Sequence, residues 1–190
     1  VVVEHSDVVN DDGTRTFTVK IKDNLKFSDG SAVTAKNYVA QMLVFSTPVG
    51  NEAANRDHKS GMSYVGYDDF AAYDGTNDGQ AITDKNGKAT GVTASKYLSG
   101  VKILDDYTYS VTLTSDYATY FYAIAQAGLS PEALGVWLDD ADIEIDPTTK
   151  AVGLSDNFYT KNGDSYVKAA HIRSVAIDDT KLTAYPYSGA

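Results

Sequence analysis

The chain has 190 residues, a formal net charge of −10 from 26 acidic and 16 basic side chains, and no cysteine. That length allows one sizeable domain, or one domain with a small satellite, and a hydrophobic fraction of 43% is enough to bury a core. The acid excess argues against nucleic acid, which calls for clustered Lys and Arg, and against docking on an anionic membrane. No stretch of about 18 apolar residues offers a membrane span. A redox CxxC pair, a disulfide scaffold and a cysteine-rich zinc site are all excluded.

In chain order, Val1 to Val9 is apolar-rich and meets the turn signal Asn10-Asp11-Asp12-Gly13. Arg15 to Lys22 then alternates, with Phe17, Val19 and Ile21 on one side and Thr16, Thr18, Lys20 and Lys22 on the other, as in a strand with one buried face. Leu25 and Phe27 extend the apolar set before the turn Ser28-Asp29-Gly30. Thr34 is an N-cap for a helix running to about Phe45, with Tyr38, Met42 and Phe45 on one face and Pro48 and Gly50 ending the pattern. Residues 51–95 are rich in Gly, Asp and Asn, and read as a variable, loop-rich excursion with short helical pieces and a surface hairpin.

A second hairpin follows. Val101-Lys102-Ile103-Leu104 turns at Asp105-Asp106 into a segment where Tyr107, Tyr109, Val111 and Leu113 alternate with Thr and Ser. Tyr117 to Ala127 is expected to be a helix with Tyr120, Phe121, Ile124 and Ala125 facing inward, ended by Gly128. Ser130 and Pro131 are expected to start another helix that carries Leu134 and Trp137. Residues 139–164 read as an acidic loop, and Ile172 to Ile177 as a last short strand. The fold class is α+β: a mixed, mainly antiparallel sheet with packed helices.

Chemistry is sparse. His5, His58 and His171 lie far apart, which disfavours a zinc site. Gly61-Met62-Ser63-Tyr64-Val65-Gly66 is one residue too long for a hydrolase elbow. Asp74, Thr76, Asp78 and Gly79 begin like a calcium loop, but Lys85 stands where the bidentate acid belongs. Asp105-Asp106 and Asp139-Asp140 are neighbours at turns rather than facing acid and base. No catalytic residue, metal or cofactor is expected, and the chain is expected not to be an enzyme. Of the 14 tyrosines, Tyr64 and Tyr67 stand out, because a glycine-flanked loop lets their rings face a ligand.

Three ordered segments carry a resemblance. Residues 15–35, RTFTVKIKDNLKFSDGSAVTA, look like the signature "tFtlr.gvkfsDGtpvTA.d" of the extracellular solute-binding proteins of ABC transporters, in the oligopeptide- and dipeptide-binding family (family 5). Residues 101–113, VKILDDYTYSVTL, are similar to that family's "v.vvDdyTvrftL" hairpin. Residues 184–190, AYPYSGA, resemble the start of its "p.gtGpY" strand. Lys36-Asn37 departs from the acidic residues common there.

The resemblance implies a piece from the N-terminal half of a two-lobed, periplasmic-binding-protein-like (type II) fold, so that residues 1–190 form a single partial domain. The abrupt start at Val1-Val2-Val3 and the ending at Ala190 fit that reading. Implied partners are a peptide or other small solute, gripped together with a second lobe, and an ABC permease, with the protein itself a monomer. The implied location is the extracellular face of the membrane or the periplasm, with a lipid anchor upstream and any signal removed. Tyr64 or Tyr67 would be the aromatic that the family places near its ligand after the first helix. The rival reading, a surface adhesion or structural module, predicts an all-β sandwich.

Overall fold

The computed structural model describes residues 1–177, 181 and 184–187. The N-terminal hairpin pairs β1 (Val2–Val9) with β2 (Arg15–Ile21). Three helices follow: α1 (Ala35–Val44), α2 (Pro48–Ala54) and α3 (Tyr67–Ala71). A small hairpin of β3 (Ala81–Thr83) and β4 (Ala89–Thr93) stands apart from the main sheet. The long hairpin of β5 (Tyr97–Asp105) and β6 (Thr108–Leu113) comes next. After it come α4 (Ser115–Ala118), a 3-10 turn at Ala123–Ala127 and α5 (Leu134–Leu138). The chain closes with β7 (Ile143–Ile145), β8 (Ala151–Leu154), the tiny pair β9 (Lys161–Asn162) and β10 (Ser165–Tyr166), and α6 (Val167–Ile177).

The main sheet has six antiparallel strands in the order β1-β2-β6-β5-β8-β7. The alternation read from the sequence sets its inner face. Phe17 lies opposite Val111 and Val19 opposite Tyr109, while Val101 and Ile103 flank the same pair from β5. All six are buried. On the other face the register aligns Thr16 with Thr112 and Thr18 with Ser110, and the two threonine hydroxyls hydrogen-bond at 3.0 Å. Helix α1 packs on the apolar face through Tyr38, Val39, Met42 and Leu43, and the Tyr38 ring stacks on Tyr109 with centroids 5.8 Å apart. Each such fully buried side chain contributes roughly 1.5–3 kcal/mol.

Thr34 caps α1, and Asn37 explains the departure at Lys36-Asn37. The Asn37 Oδ1 accepts from the Thr34 backbone N–H and hydroxyl, while its Nδ2 donates to Glu132 O at 2.9 Å. A polar residue with both a donor and an acceptor is needed there, and a carboxylate would lack the donor. The excursion at residues 51–95 holds helix α3 and the β3–β4 hairpin, and Tyr64, Phe70 and Tyr73 from it join the common core.

The structure corrects the sequence reading in several places. Pro48 and Gly50 do not simply end α1. Pro48 is the first residue of α2, and the Thr47 hydroxyl accepts from Gly50 N–H as its cap. Tyr117 to Ala127 is not a continuous helix. One turn at α4 and the 3-10 turn bury the small residues Ala118, Ala123 and Ala127, and leave Tyr120, Phe121, Tyr122 and Ile124 exposed. A segment this short, with aromatic and β-branched residues at its centre, has too little propensity to hold a helix unless its large face is packed.

Ser130 caps nothing. Glu132 N–H donates to Asn37 O, which holds the chain extended until α5 begins at Leu134. Residues 139–164 are not all loop, because β7 and β8 complete the sheet. Ile172 to Ile177 is helix, not strand: Ala169, Ile172 and Val175 recur every three residues and are buried. The acidic pair Asp139-Asp140 clamps the buried Lys168 of α6, with Asp139 Oδ2 at 2.8 Å from its Nζ. The third resembling segment lies partly outside the described residues.

The helices α1 and α6 exclude an all-β sandwich. The burial pattern makes a direct prediction for urea denaturation. Leu113→Ala, at a fully buried position, should cost about 2–5 kcal/mol. Phe121→Ala, at a residue 90% exposed, should stay within about 0.5 kcal/mol of the parent.

Candidate functional site

The glycine-flanked loop before α3 is stitched to the sheet. Thr114 N–H donates to Ser63 O at 3.0 Å, Val65 N–H to Thr112 O at 2.9 Å, and Gly100 N–H to Val65 O at 2.8 Å. The fit leaves no space at Gly100, where a Cβ would lie 2.5 Å from Val65 O. Gly66 turns the chain into α3 at φ 78, a left-handed conformation that suits glycine.

This fixed loop carries Tyr64 under the segment that follows α4. The Tyr64 hydroxyl donates to Gln126 O, the Ser63 hydroxyl to Gln126 Oε1 at 3.0 Å, and the Tyr109 hydroxyl to Ala127 O at 3.0 Å. Three side chains from the core therefore hold a stretch of chain that has little regular structure of its own.

Between that segment and α1 lies an open recess of about 230 Å³. Its floor is Tyr38, Met42 and Tyr64, all buried, and its rim is Gln41, Ser60, Ala125, Gln126, Gly128, Leu129 and Ser130. The Tyr38 hydroxyl is buried and has no protein hydrogen-bond partner. Next in the chain to this rim stand the exposed Tyr120, Phe121, Tyr122 and Ile124, with Phe121 and Tyr122 packed edge to face at 4.8 Å. Apolar exposure on this scale marks a contact surface more often than an accident.

The structure brings Tyr64 into the recess but not Tyr67, the other tyrosine picked out in the sequence. Tyr67 is buried at the start of α3, away from the lining. Tyr38 and Gln126 carry no local sequence signal, since one reads as a core position of α1 and the other as a helical surface position. Asp74 and Asp78, which resembled a calcium loop, are used by the loop itself. Asp74 Oδ1 accepts from the Thr76 N–H and hydroxyl, and Asp78 Oδ1 from Lys96 N–H. Among the described residues no group of three or more His, Asp or Glu side chains is placed to hold a metal ion.

Burial pushes the Tyr64 phenol well up, with the neighbouring Tyr109 adding to it. Burial also pushes Tyr109 up to about 12, against a lowering by the Leu129 backbone and with help from Tyr38. Both are therefore neutral hydrogen-bond donors at ordinary pH.

Residues 4–179 match the family model of the bacterial extracellular solute-binding proteins, family 5, middle region. The match covers most of the chain, and the chain belongs to that family. No curated protein matches it. Membership gives the chain a solute-binding role in ABC import and places it outside the cytoplasmic membrane. Among the described residues no helix is long and apolar enough to cross a membrane.

Two outcomes follow. Tyr64→Phe keeps the ring but removes the donor to Gln126 O, and should cost about 0.5–1.5 kcal/mol. Amide hydrogen exchange should then accelerate at Gly128 and Leu129, while the β6 amides stay protected. The second concerns alkaline stability. Because the folded-state phenols titrate above the ordinary value of 10, the folded chain keeps protons that the unfolded chain loses. Stability should be fully present below pH 10 and fall above it, by up to about 1.4 kcal/mol per pH unit for each such tyrosine. Chemical denaturation from pH 8 to 11 reads this, and Tyr64→Phe should flatten the decline.

Proposed function

We propose that this chain forms one wall of a binding site that captures a peptide, or a similar small solute, outside the cell and presents it to an ABC permease. Membership of the family over residues 4–179 carries the reading. The open recess beside Tyr64 supports it, because a wall of this kind needs an accessible concave surface on rigid elements.

In this account the recess and the exposed Tyr120–Ile124 run face a cleft, and a second lobe closes over the solute from the other side. Capture is non-covalent, and closure excludes water and completes the contacts. A lipid anchor upstream of Val1 would keep the protein at the membrane, close to its permease. Backbone groups and the Gln126 amide suit an extended peptide, whose own amides need both donors and acceptors.

Titration calorimetry with a set of unmodified di- to pentapeptides tests the proposal, using the 190-residue chain and the protein translated from its full reading frame. The full protein should bind at least one peptide in the micromolar range, and the chain alone should bind no tighter than about 1 mM. Micromolar binding by the chain alone would contradict the half-site account. No binding by either would contradict the peptide reading.

A further inference from the structure

The recess at Tyr38, Tyr64 and Gln126 has a property that the charge of the chain makes unexpected. Charged residues make up 22% of the sequence, with a net charge of −10. None of the ten residues lining the recess is Asp, Glu, Lys, Arg or His. Three other recesses of the chain all carry charge. One at the end of the β1–β2 hairpin includes Lys20, Lys22, Asp23 and Asp105. One below Tyr185 includes Glu132, and one beside Tyr159 includes Asp74, Asp156 and Lys161.

We infer that this recess selects an uncharged, hydrogen-bonding portion of the solute, and that it discriminates against a solute carrying a carboxylate or ammonium group at that position. The inference rests on the solute-binding reading above and adds the chemical class that this part of the site accepts.

The physical argument is one of desolvation. A charged group moved from water onto a floor of Tyr38, Met42 and Tyr64 loses hydration and meets no opposite charge in the lining. A neutral amide or hydroxyl loses far less and finds partners on the rim. The side-chain amides of Gln41 and Gln126 and the hydroxyl of Ser130 offer donors and acceptors, while the Ser60 hydroxyl already hydrogen-bonds His58 Nδ1 at 3.1 Å. Gln126 already spends its Oε1 on Ser63, which leaves its amide nitrogen to face a ligand acceptor.

The Tyr38 hydroxyl is a second and independent pointer. It belongs to a side chain only 5% exposed, lines the recess and has no protein partner. A buried hydroxyl left alone is costly, and because this atom exposes less than 1 Å² an acceptor on the solute would satisfy it only with an accompanying shift of the rim. Burial holds this phenol neutral, so it adds no charge of its own.

The experiment is an amide NMR titration of the isotope-labelled 190-residue chain, which reads millimolar binding residue by residue. The probes are N-acetyl-trialanine amide, the same capped tripeptide with Asp or with Lys at its centre, and maltose as a neutral non-peptide. The neutral tripeptide should shift the Gly128 and Leu129 backbone signals and the Gln41 and Gln126 side-chain amides. The Asp and Lys peptides should bind there at least about tenfold more weakly.

The double variant Gln41→Glu, Gln126→Glu changes only exposed side chains and keeps an acceptor for Ser63. It should reverse the order and favour the Lys peptide. Equal or tighter binding of the charged peptides to the parent recess would overturn the inference, as would shifts confined to another surface. The latter would leave the peptide reading standing. Shifts at the recess from maltose alone would support the uncharged class while removing the peptide reading.

Discussion

Strand β6 is the constraint on which the rest depends. It is hydrogen-bonded along both edges, to β2 and to β5, and five of its six residues are buried. One of its faces presents Tyr109, Val111 and Leu113 to α1 and the core, and removing it would split the sheet into the β1–β2 hairpin and the three strands β5, β8 and β7. Its Thr112 O, with Thr114 N–H just beyond its end, holds the glycine-flanked loop, and its Tyr109 reaches up to hold Ala127. The recess is therefore positioned by a buried strand paired along both edges, even though its rim is a segment without much structure. The proposed solute-binding wall would benefit from this arrangement. The rim can adjust its side chains, while the tyrosines beneath keep it in place at little entropic cost on binding.

The front half of the fold is legible in the sequence, and the reason lies in its periodicities. Phe17, Val19 and Ile21 alternate with polar residues because the β2 face opposite the core is only partly covered. Thr34 is followed by apolar residues at helical spacing because α1 lies over one face of the sheet. Those patterns are local, so they survive in one dimension. The segment after β6 is not legible for the opposite reason. Its large residues Tyr120, Phe121 and Ile124 carry a helical spacing, yet the buried set is Ala118, Ala123 and Ala127. Hydrophobic size points outward there, and the tertiary hydrogen bonds of Ser63, Tyr64 and Tyr109 hold the shape. Similarly, Ile172 and Val175 suggest a strand by residue type, while the docking surface of α2 and α5 makes them one stripe of a helix.

The candidate site is half legible in the sequence. Tyr64 stands out as a ring in a loop between glycines, and it does line the recess. Tyr67 has the same surroundings in sequence and is buried too, but it stands past the Gly66 turn at the start of α3 and is not in the lining. Tyr38 and Gln126 come from elements nearly ninety residues apart, and no spacing rule links them. The acidic side chains, the most obvious feature of the composition, lie elsewhere. Asp7 pairs with Arg15, Asp139 and Asp140 with Lys168, and Glu144 and Asp156 with Lys96, each at an element junction. Charge in this chain fastens elements and solvates the surface, and the recess is kept free of it.

The central claim is that the uncharged recess between α1 and the Gln126 segment is the solute-facing surface. The most direct measurement is a crystal structure of the protein from the full reading frame, saturated with whichever solute binds it most tightly. The account predicts solute density against Tyr38, Tyr64 and Gln126, with an uncharged group of the solute seated in the recess. Solute bound with no atom near these side chains, or a carboxylate or ammonium group seated on them, would contradict it.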